Sequence, residues 1–505
     1  MKEILLNIAP LQTRAALLQN GELVDIFIER KGNEGHVGNI YKGKVENVLS
    51  GMQAAFVDLG LDKNAFLYAG DILADKKDFE FAGSEAAKLE PVSIKKLVKQ
   101  QQDIIVQVLK EPVGSKGARV STAITIPGRM LVLMPTFNYV GVSKRINDEG
   151  ERGRLKELVS SIKKPELGYI VRTCAQGADK EQLLIEMNYL EEKWNTILEK
   201  AKTTQSPCLL HREESLLNTI LRDYMDNSID RLLIDDKASC DQAKAMLQIN
   251  TPTLVERIVF YDKPDNIFTA YGLENKLKKL VERRVWLDSG AYLIIDQTEA
   301  LTVIDVNTGK FTGGVDLNRT ILETNLIAAK EIAQQLRLRS IGGIIIIDFI
   351  DMDTDLARQQ VLDELKSAVA GDKIKSNIVG FTGLGLVEMT RKKTRNNYSF
   401  IMQKVCPYCE GDGRILNEES VIIELLLELD RLFCHTIAQS VIIRVHPYIA
   451  TALENDEYSK LLKSSFKGKK LYISPDFQHH LENFNVTALN EGENPSQTQG
   501  LHRIS

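Results

Sequence analysis

Two aspartates in this chain stand at the ends of two apolar runs. In "LTVIDVNTGKFTGG" (301–314), Asp305 ends a β-branched, apolar stretch, Asn307 follows two residues later, and a turn rich in Gly and Thr comes next. In "IGGIIIIDFIDMD" (341–353), Asp348 follows four isoleucines. Side chains alternate faces along a strand, so Asp305 and Asn307 point the same way, about 7 Å apart. Asp348 ends a strand reached through a helix, so it can lie beside the first strand in one sheet. Ligands of α/β sheets collect beyond the carboxyl ends of the strands. Two carboxylates brought together there repel one another unless a cation sits between them. Oxygen ligands select a hard cation. Mg²⁺ takes one or two carboxylates, keeps several waters and adds phosphate oxygens from a substrate, which suits two Asp and an orienting Asn amide. The competing reading has each Asp capping the turn or helix after it. For both together in one α/β block, the metal reading is preferred. Asp351 and Asp353 read as turn and cap residues, not as a second metal site.

A second constellation is "CPYCEGDG": Cys406, Cys409, then Gly411 and Gly413. Its spacing and glycines suit a zinc knuckle, but a structural zinc wants four ligands. Cys434 and His435 sit inside the helical run "IIELLLELDRLFCHTIA", where adjacent residues point apart. The simplest arithmetic is one Zn²⁺ shared by two chains at a symmetric dimer interface. The competing reading is a free thiol pair; no thioredoxin-like strand–helix context surrounds it. Cys174, Cys208, Cys240 and Cys434 read as reduced thiols of a cytosolic protein.

The elements that must position these groups are legible in outline. Residues 3–30 read as a hairpin turning at Asn20-Gly21. Residues 37–122 are dense in glycine and short β runs, as in a small barrel. A charged insertion at about 74–96 interrupts them. Residues 123–212 are mixed, with strands in "RMLVLMP" and "YIVRTCA" and a long helix in "DKEQLLIEMNYLEEKWNTILEKAKT". Helices and strands alternate over 213–281, which argues α/β. In 282–402, "AYLIIDQTEALTVIDV" is a hairpin and "ILETNLIAAKEIAQQLRLRS" an amphipathic helix stopped by Gly342-Gly343. "IIIIDFI" lacks polar alternation and so reads as a strand buried on both faces. Thr354 caps the helix "DLARQQVLDELKSAVA". A small domain follows the knuckle, and about 15 polar residues close the chain.

Bulk properties bound the rest. At 505 residues the chain exceeds one hydrophobic core and several domains are expected. With 43% hydrophobic and 26% charged residues it has an ordinary globular composition. A net charge of −5 excludes a polycation, so nucleic-acid binding would need local basic patches. We read no secretory signal and no membrane span in the sequence.

The pieces "VGNIYKGKVENVLSGMQAAFVDLG", "GSKGA", "YIVRT", "IDVNTGKFTGG", "GGIIIIDFIDM", "GLVEMTRKKTR" and "CPYCEGDGR" occur in one order over most of residues 1–415. In these the chain resembles the ribonuclease E/G family of endoribonucleases, and its length, without a long disordered tail, resembles the shorter branch of that family. The resemblance implies an α/β and α+β multidomain fold. Residues 1–36 and 215–281 would form an RNase H-like subdomain, interrupted by an S1-type OB fold (37–122) and a 5′-sensor (123–214). A DNase I-like catalytic subdomain (282–402), the zinc knuckle (403–415) and a small C-terminal domain with a polar tail (416–505) would follow.

The resemblance also implies site residues. Asp305 and Asp348 match Mg²⁺ ligands, and Asn307 the asparagine that orients one of them or the scissile phosphate. Phe56 and Phe66 match aromatics that pack an unstacked base, and Lys116 a basic RNA contact. Without the family, either Phe alone reads as barrel core. Arg172 and Thr173, with Gly128 and Val132, match a 5′-monophosphate pocket. Arg391, in the basic run "RKKTR", suits a phosphate contact. Cys174 and Ala175 depart from the small Ala-Gly expected after Arg172-Thr173. The implied activity is Mg²⁺-dependent cleavage of single-stranded A/U-rich RNA, stimulated by a 5′-monophosphate. Products would carry 5′-phosphate and 3′-hydroxyl ends. The setting would be rRNA and tRNA processing and mRNA decay in the cytoplasm. The implied partners are single-stranded RNA and a second copy of the chain held through the shared zinc, with further pairing of dimers left open. Two other classes compete: a non-catalytic RNA-binding scaffold, and a metal phosphodiesterase for small nucleotides.

Overall fold

The computed structural model describes residues 1–32, 35–72, 93–112, 116–309, 317–395, 397–489 and 502–503. Most of the charged insertion at 74–96, the start of "GSKGA", the turn residues 310–316 and most of the polar tail lie outside these. The chain forms two compact units, residues 1–401 and 402–505.

In the first unit, the opening strands Lys2–Ile8, Gln12–Gln19 and Glu22–Arg30 form an antiparallel meander. Its second turn, between Gln12–Gln19 and Glu22–Arg30, has Asn20 at φ 52° and Gly21 at φ 83°. Both lie in the left-handed region, the geometry that matches hairpin twist. Lys2–Ile8 also pairs in parallel with Arg231–Ile234, which pairs with Ile258–Phe260. The N-terminus and residues 231–260 thus share one five-stranded sheet.

Between them the chain builds a barrel from Ile40–Leu49, Ala54–Asp58, Ala65–Tyr68, Asp103–Lys110 and Arg119–Ser121. Pairing of Ile40–Leu49 with Asp103–Lys110 closes it, giving an OB-like form. A four-stranded sheet follows, ordered Val140–Val142, Gly168–Val171, Leu131–Met134, Ile126–Pro127. The helices Glu149–Ile162 and Lys180–Thr203 pack on its core. Asp179 and Gln182 close a capping box at the start of the second.

A six-stranded sheet completes the unit, ordered Arg284–Trp286, Tyr292–Gln297, Leu301–Asn307, Gly343–Asp348, Val387–Arg391, Ser376–Phe381. The helices Leu317–Leu338 and Asp355–Ala370 belong to its core, where Ala328, Ile332, Val361 and Leu365 meet Leu293, Ile304, Ile345, Ile347 and Met389. Thr354 caps the second helix, accepting from Ala357 N at 3.2 Å. The first ends before Gly342-Gly343: Ser340 turns the backbone at φ 54°, and Gly343 opens the next strand.

The sheet corrects one expectation. "IIIIDFI" is not buried on both faces. Ile345 and Ile347 are fully buried, but Ile344 is 50% exposed and Ile346 half-buried. The alternation exists in burial although not in polarity, because the helices cover only one face.

In the second unit, Asn417 caps the helix Glu418–His435, which buries Val421, Leu425 and Leu429. They meet Val441, Ile443, Leu471 and Ile473 of a four-stranded sheet. Among the described residues no helix is long and apolar enough to cross a membrane.

Candidate active site

Parallel pairing of Leu301–Asn307 with Gly343–Asp348 sets Asp305 directly beside Asp348. Register partners share a sheet face about 4.8 Å apart, so both carboxylates leave the open face side by side. Both are exposed. Asn307, two residues on, donates from Nδ2 to Asp305 Oδ2 at 2.8 Å and fixes that carboxylate. The Asp348 pKa lies above the ordinary carboxylate value, through desolvation at the strand end and then the charges of Asp305 and Asp351. Two acids pressed together in this way suit a hard cation. No group of three or more His, Cys, Asp or Glu side chains placed for a metal occurs among the described residues. A two-carboxylate donor set fits a cation that completes its shell with water and substrate oxygens.

On the barrel, Phe56 and Phe66 are register partners, with ring centroids 6.0 Å apart in an edge-on arrangement. Ala55, Val57, Ala65 and Leu67 fill the interior, while both Phe rings face outward and are half-buried. The barrel-core reading of either Phe therefore does not hold. Lys116 is exposed and lies two residues before Ala118, whose carbonyl accepts Phe66 N–H at 2.7 Å.

Arg172 directly follows the strand Gly168–Val171. Its Nη1 donates to the Gly128 carbonyl at 2.6 Å, and its Nη2 pairs with Asp223 at 2.7 Å. Thr173 Oγ1 lies 3.2 Å from Ser143 Oγ. Val132 pairs with Pro127 and Ile170 in the same sheet. Gly128 must be glycine: a Cβ there would come within 2.2 Å of Glu186 Oε1 and 2.9 Å of the Leu131 carbonyl. Sequence reasoning missed Asp223. Burial alone would raise its pKa, but Arg222 and Arg172 outweigh burial and hold it below the ordinary value. It also missed Lys373, whose Nζ donates to the Asp223 carbonyl at 2.9 Å and whose own carbonyl accepts from Arg145 Nη2 at 2.8 Å. Neither stands in a motif; only the fold brings them to Arg172.

Arg391 is corrected. It is 3% exposed, and its guanidinium donates to Asp372 Oδ2 at 2.9 Å and to the Ile341 carbonyl at 2.6 Å. It ties the sheet to a neighbouring loop and presents no charge to solvent. In the same run, Lys392 and Lys393 are the exposed cations.

In the second unit, the knuckle turns at Glu410 (φ 49°), Gly411 (φ 102°) and Gly413 (φ 70°). Gly413 N donates to Cys409 Sγ at 3.3 Å. Backbone N–H groups of Cys409 and Tyr408, together with the Cys409 side chain, lower the Cys406 pKa. The peptide groups thus favour thiolate, the form that binds zinc. His480 is no third ligand here: its Nε2 lies 2.6 Å from the Tyr408 carbonyl and its ring stacks on Tyr408 at 4.0 Å.

A barrel with an outward aromatic pair, joined in one chain to paired acids on an open sheet face, is the equipment of an enzyme acting on nucleic acid. The model of the Ribonuclease E/G family matches residues 125–394. Ribonuclease G of Haemophilus influenzae is 42% identical over 96% of this chain and 99% of its own length. Ribonuclease G of Escherichia coli K12 is 41% identical, again over 96% and 99%. Ribonuclease E of Haemophilus influenzae is 33% identical over 98% of this chain but 52% of its own length. The chain belongs to the ribonuclease E/G family and is an endoribonuclease. Its match to the ribonuclease G relatives runs nearly end to end. The scaffold and small-nucleotide readings are set aside.

Proposed function

We propose that this endoribonuclease hydrolyses single-stranded, A/U-rich RNA at Asp305 and Asp348 in the presence of Mg²⁺, leaving 5′-phosphate and 3′-hydroxyl ends. The reading rests on one observation: the two acids are register partners on the open sheet face, with Asn307 bonded to Asp305. Asp305 and Asp348 would hold the cation, which when bound polarises the phosphodiester and activates water. Asn307 keeps the Asp305 carboxylate in one orientation. Phe56 and Phe66 offer ring faces to an unpaired base, and Lys116 a charge to the backbone; stacking of this kind tolerates any sequence.

Arg172 and Thr173, beside Gly128 and Val132, would receive a 5′-monophosphate, whose oxygens the Arg fork matches. Cys406 and Cys409 would give half of a Cys₄ Zn²⁺ site completed by a second chain. We assign the five-stranded sheet to an RNase H-like subdomain, the four-stranded sheet of the first unit to a 5′-sensor and the six-stranded sheet to a DNase I-like subdomain. Processing of rRNA and tRNA and decay of mRNA in the cytoplasm are the roles that suit this equipment.

Cleavage of one A/U-rich decamer bearing a 5′-monophosphate, triphosphate or hydroxyl tests the reading. The monophosphate should be cut fastest, only with divalent cation, leaving 3′-hydroxyl ends. Undiminished cleavage in EDTA, or 3′-phosphate products, would contradict it.

A further inference from the structure

On the open face of the six-stranded sheet, the acids are one end of a strip. Register sets Tyr292 opposite Asn307 and Trp286 opposite Tyr292. Partners at one register share a face, so the three side chains form a row with steps of about 4.8 Å. The Trp286 and Tyr292 rings lie 5.1 Å apart, tilted by 59°. The Arg284 guanidinium sits 4.7 Å from the Tyr292 centroid and 5.6 Å from that of Trp286. The Gly309 backbone (φ +59°) passes close to Tyr292 on the catalytic side: a Cβ there would fall 3.1 Å from its ring and 2.4 Å from the Gly290 carbonyl. Trp286, on the edge strand, is 55% exposed. The other tryptophan of the chain, Trp194, packs against a core.

A structural role would bury the indole. Here more than half of it faces water, and the row that holds it runs into Asn307. We propose that Trp286 and Tyr292, with Arg284, form a stacking subsite for an unpaired nucleobase of the RNA next to the scissile phosphate. The inference rests on the placement of the reaction at Asp305 and Asp348. An unpaired base presents two π faces, and an aromatic surface takes either without reading sequence. Arg284, held against the rings by cation–π attraction, matches the adjoining phosphodiester. Continuity with the acids and this positive charge favour RNA over a second protein as the occupant.

The test uses full-length chain with Asp305→Asn and Trp194→Phe, so that Trp286 is the only indole and RNA stays intact. An A/U-rich decamer should quench Trp286 emission as it binds, with binding read independently by anisotropy. Trp286→Ala and Trp286→Leu should each weaken binding by about tenfold, and Trp286→Phe by much less, because Leu keeps bulk but lacks a π face. With Asp305 intact, Trp286→Ala should raise KM by a similar factor and leave kcat unchanged. A decamer with an abasic nucleotide beside the cleavage site should bind the Trp and Ala forms equally. Binding without quenching, or full affinity in Trp286→Leu, overturns the proposal. So does unchanged RNA affinity with loss of self-association in Trp286→Ala, which would make the face a protein contact. Cleavage by the Asp305→Asn chain would instead refute the catalytic assignment, and the quenching result would still stand for the subsite.

Discussion

Asp223→Asn should strengthen the response to a 5′-monophosphate. In the free protein the Arg172 fork is fully taken, one arm by the Gly128 carbonyl and the other by Asp223. Both side chains of the pair are about a quarter exposed, at 28% and 22%, so screening is partial. A terminal phosphate carries about −1.5 to −2 charge and must share Arg172 with that carboxylate. At about 6 Å and an effective dielectric of about 40, their repulsion is about 2 kcal/mol. Asn keeps a hydrogen-bond acceptor for Arg172 and removes the charge, so a net gain of about 1–2 kcal/mol is expected. That is about five- to thirtyfold in affinity. The fold should tolerate the change, because Arg222 keeps Glu213 and Glu214. The assay is the ratio of KM values for a 5′-hydroxyl and a 5′-monophosphate form of one decamer. The ratio should grow in Asp223→Asn through the monophosphate KM alone. An unchanged or smaller ratio would refute the argument, showing that Asp223 does not restrain Arg172 or is needed to position it.

Glu186 gives a pH prediction. Its pKa is raised by burial, against hydrogen bonds from the backbone of Met130 and Leu131. The folded chain therefore holds this proton more tightly than the unfolded one. The group's contribution is greatest below its unfolded value and is lost as pH rises through the folded value. Glu186→Gln should raise Tm near neutral pH and flatten its fall above about pH 4.5; an unchanged profile would contradict this. Phe56→Ala and Phe66→Ala should each weaken RNA binding by about 1–3 kcal/mol with little change in Tm, whereas a large loss of Tm would return the rings to the barrel core. For the knuckle, metal analysis should find about one zinc per two chains, and Cys406→Ser should give monomers in sedimentation. One zinc per chain would rule out sharing.

What the sequence disclosed, and what it hid, have physical causes. Local signals read well: Asn20-Gly21 at a turn, Thr354 at a cap, and Asp305 and Asn307 two apart on a strand. The parallel pairing that sets Asp305 against Asp348 was open to inference because a helix joins the strands. Burial was harder to read. Four isoleucines signal a two-sided core, yet Ile344 and Ile346 lie on a face that no helix of the described residues covers. A basic run signals solvent, yet Arg391 points inward to Asp372. Asp223, Lys373 and Trp286 gave no signal, because their significance comes from neighbours distant in sequence.

The central claim is that Asp305 and Asp348 together carry the reaction. Its most direct test is kcat/KM for Asp305→Asn, Asp348→Asn and the double variant on a 5′-monophosphorylated decamer in Mg²⁺, with RNA affinity measured alongside. Each single variant should lose at least about a thousandfold, since cation-borne charge stabilisation supplies several kcal/mol. The double variant should be little worse than either, because the two acids act as one unit, and RNA affinity should persist. Cleavage within about tenfold of wild type in either single variant would contradict the account.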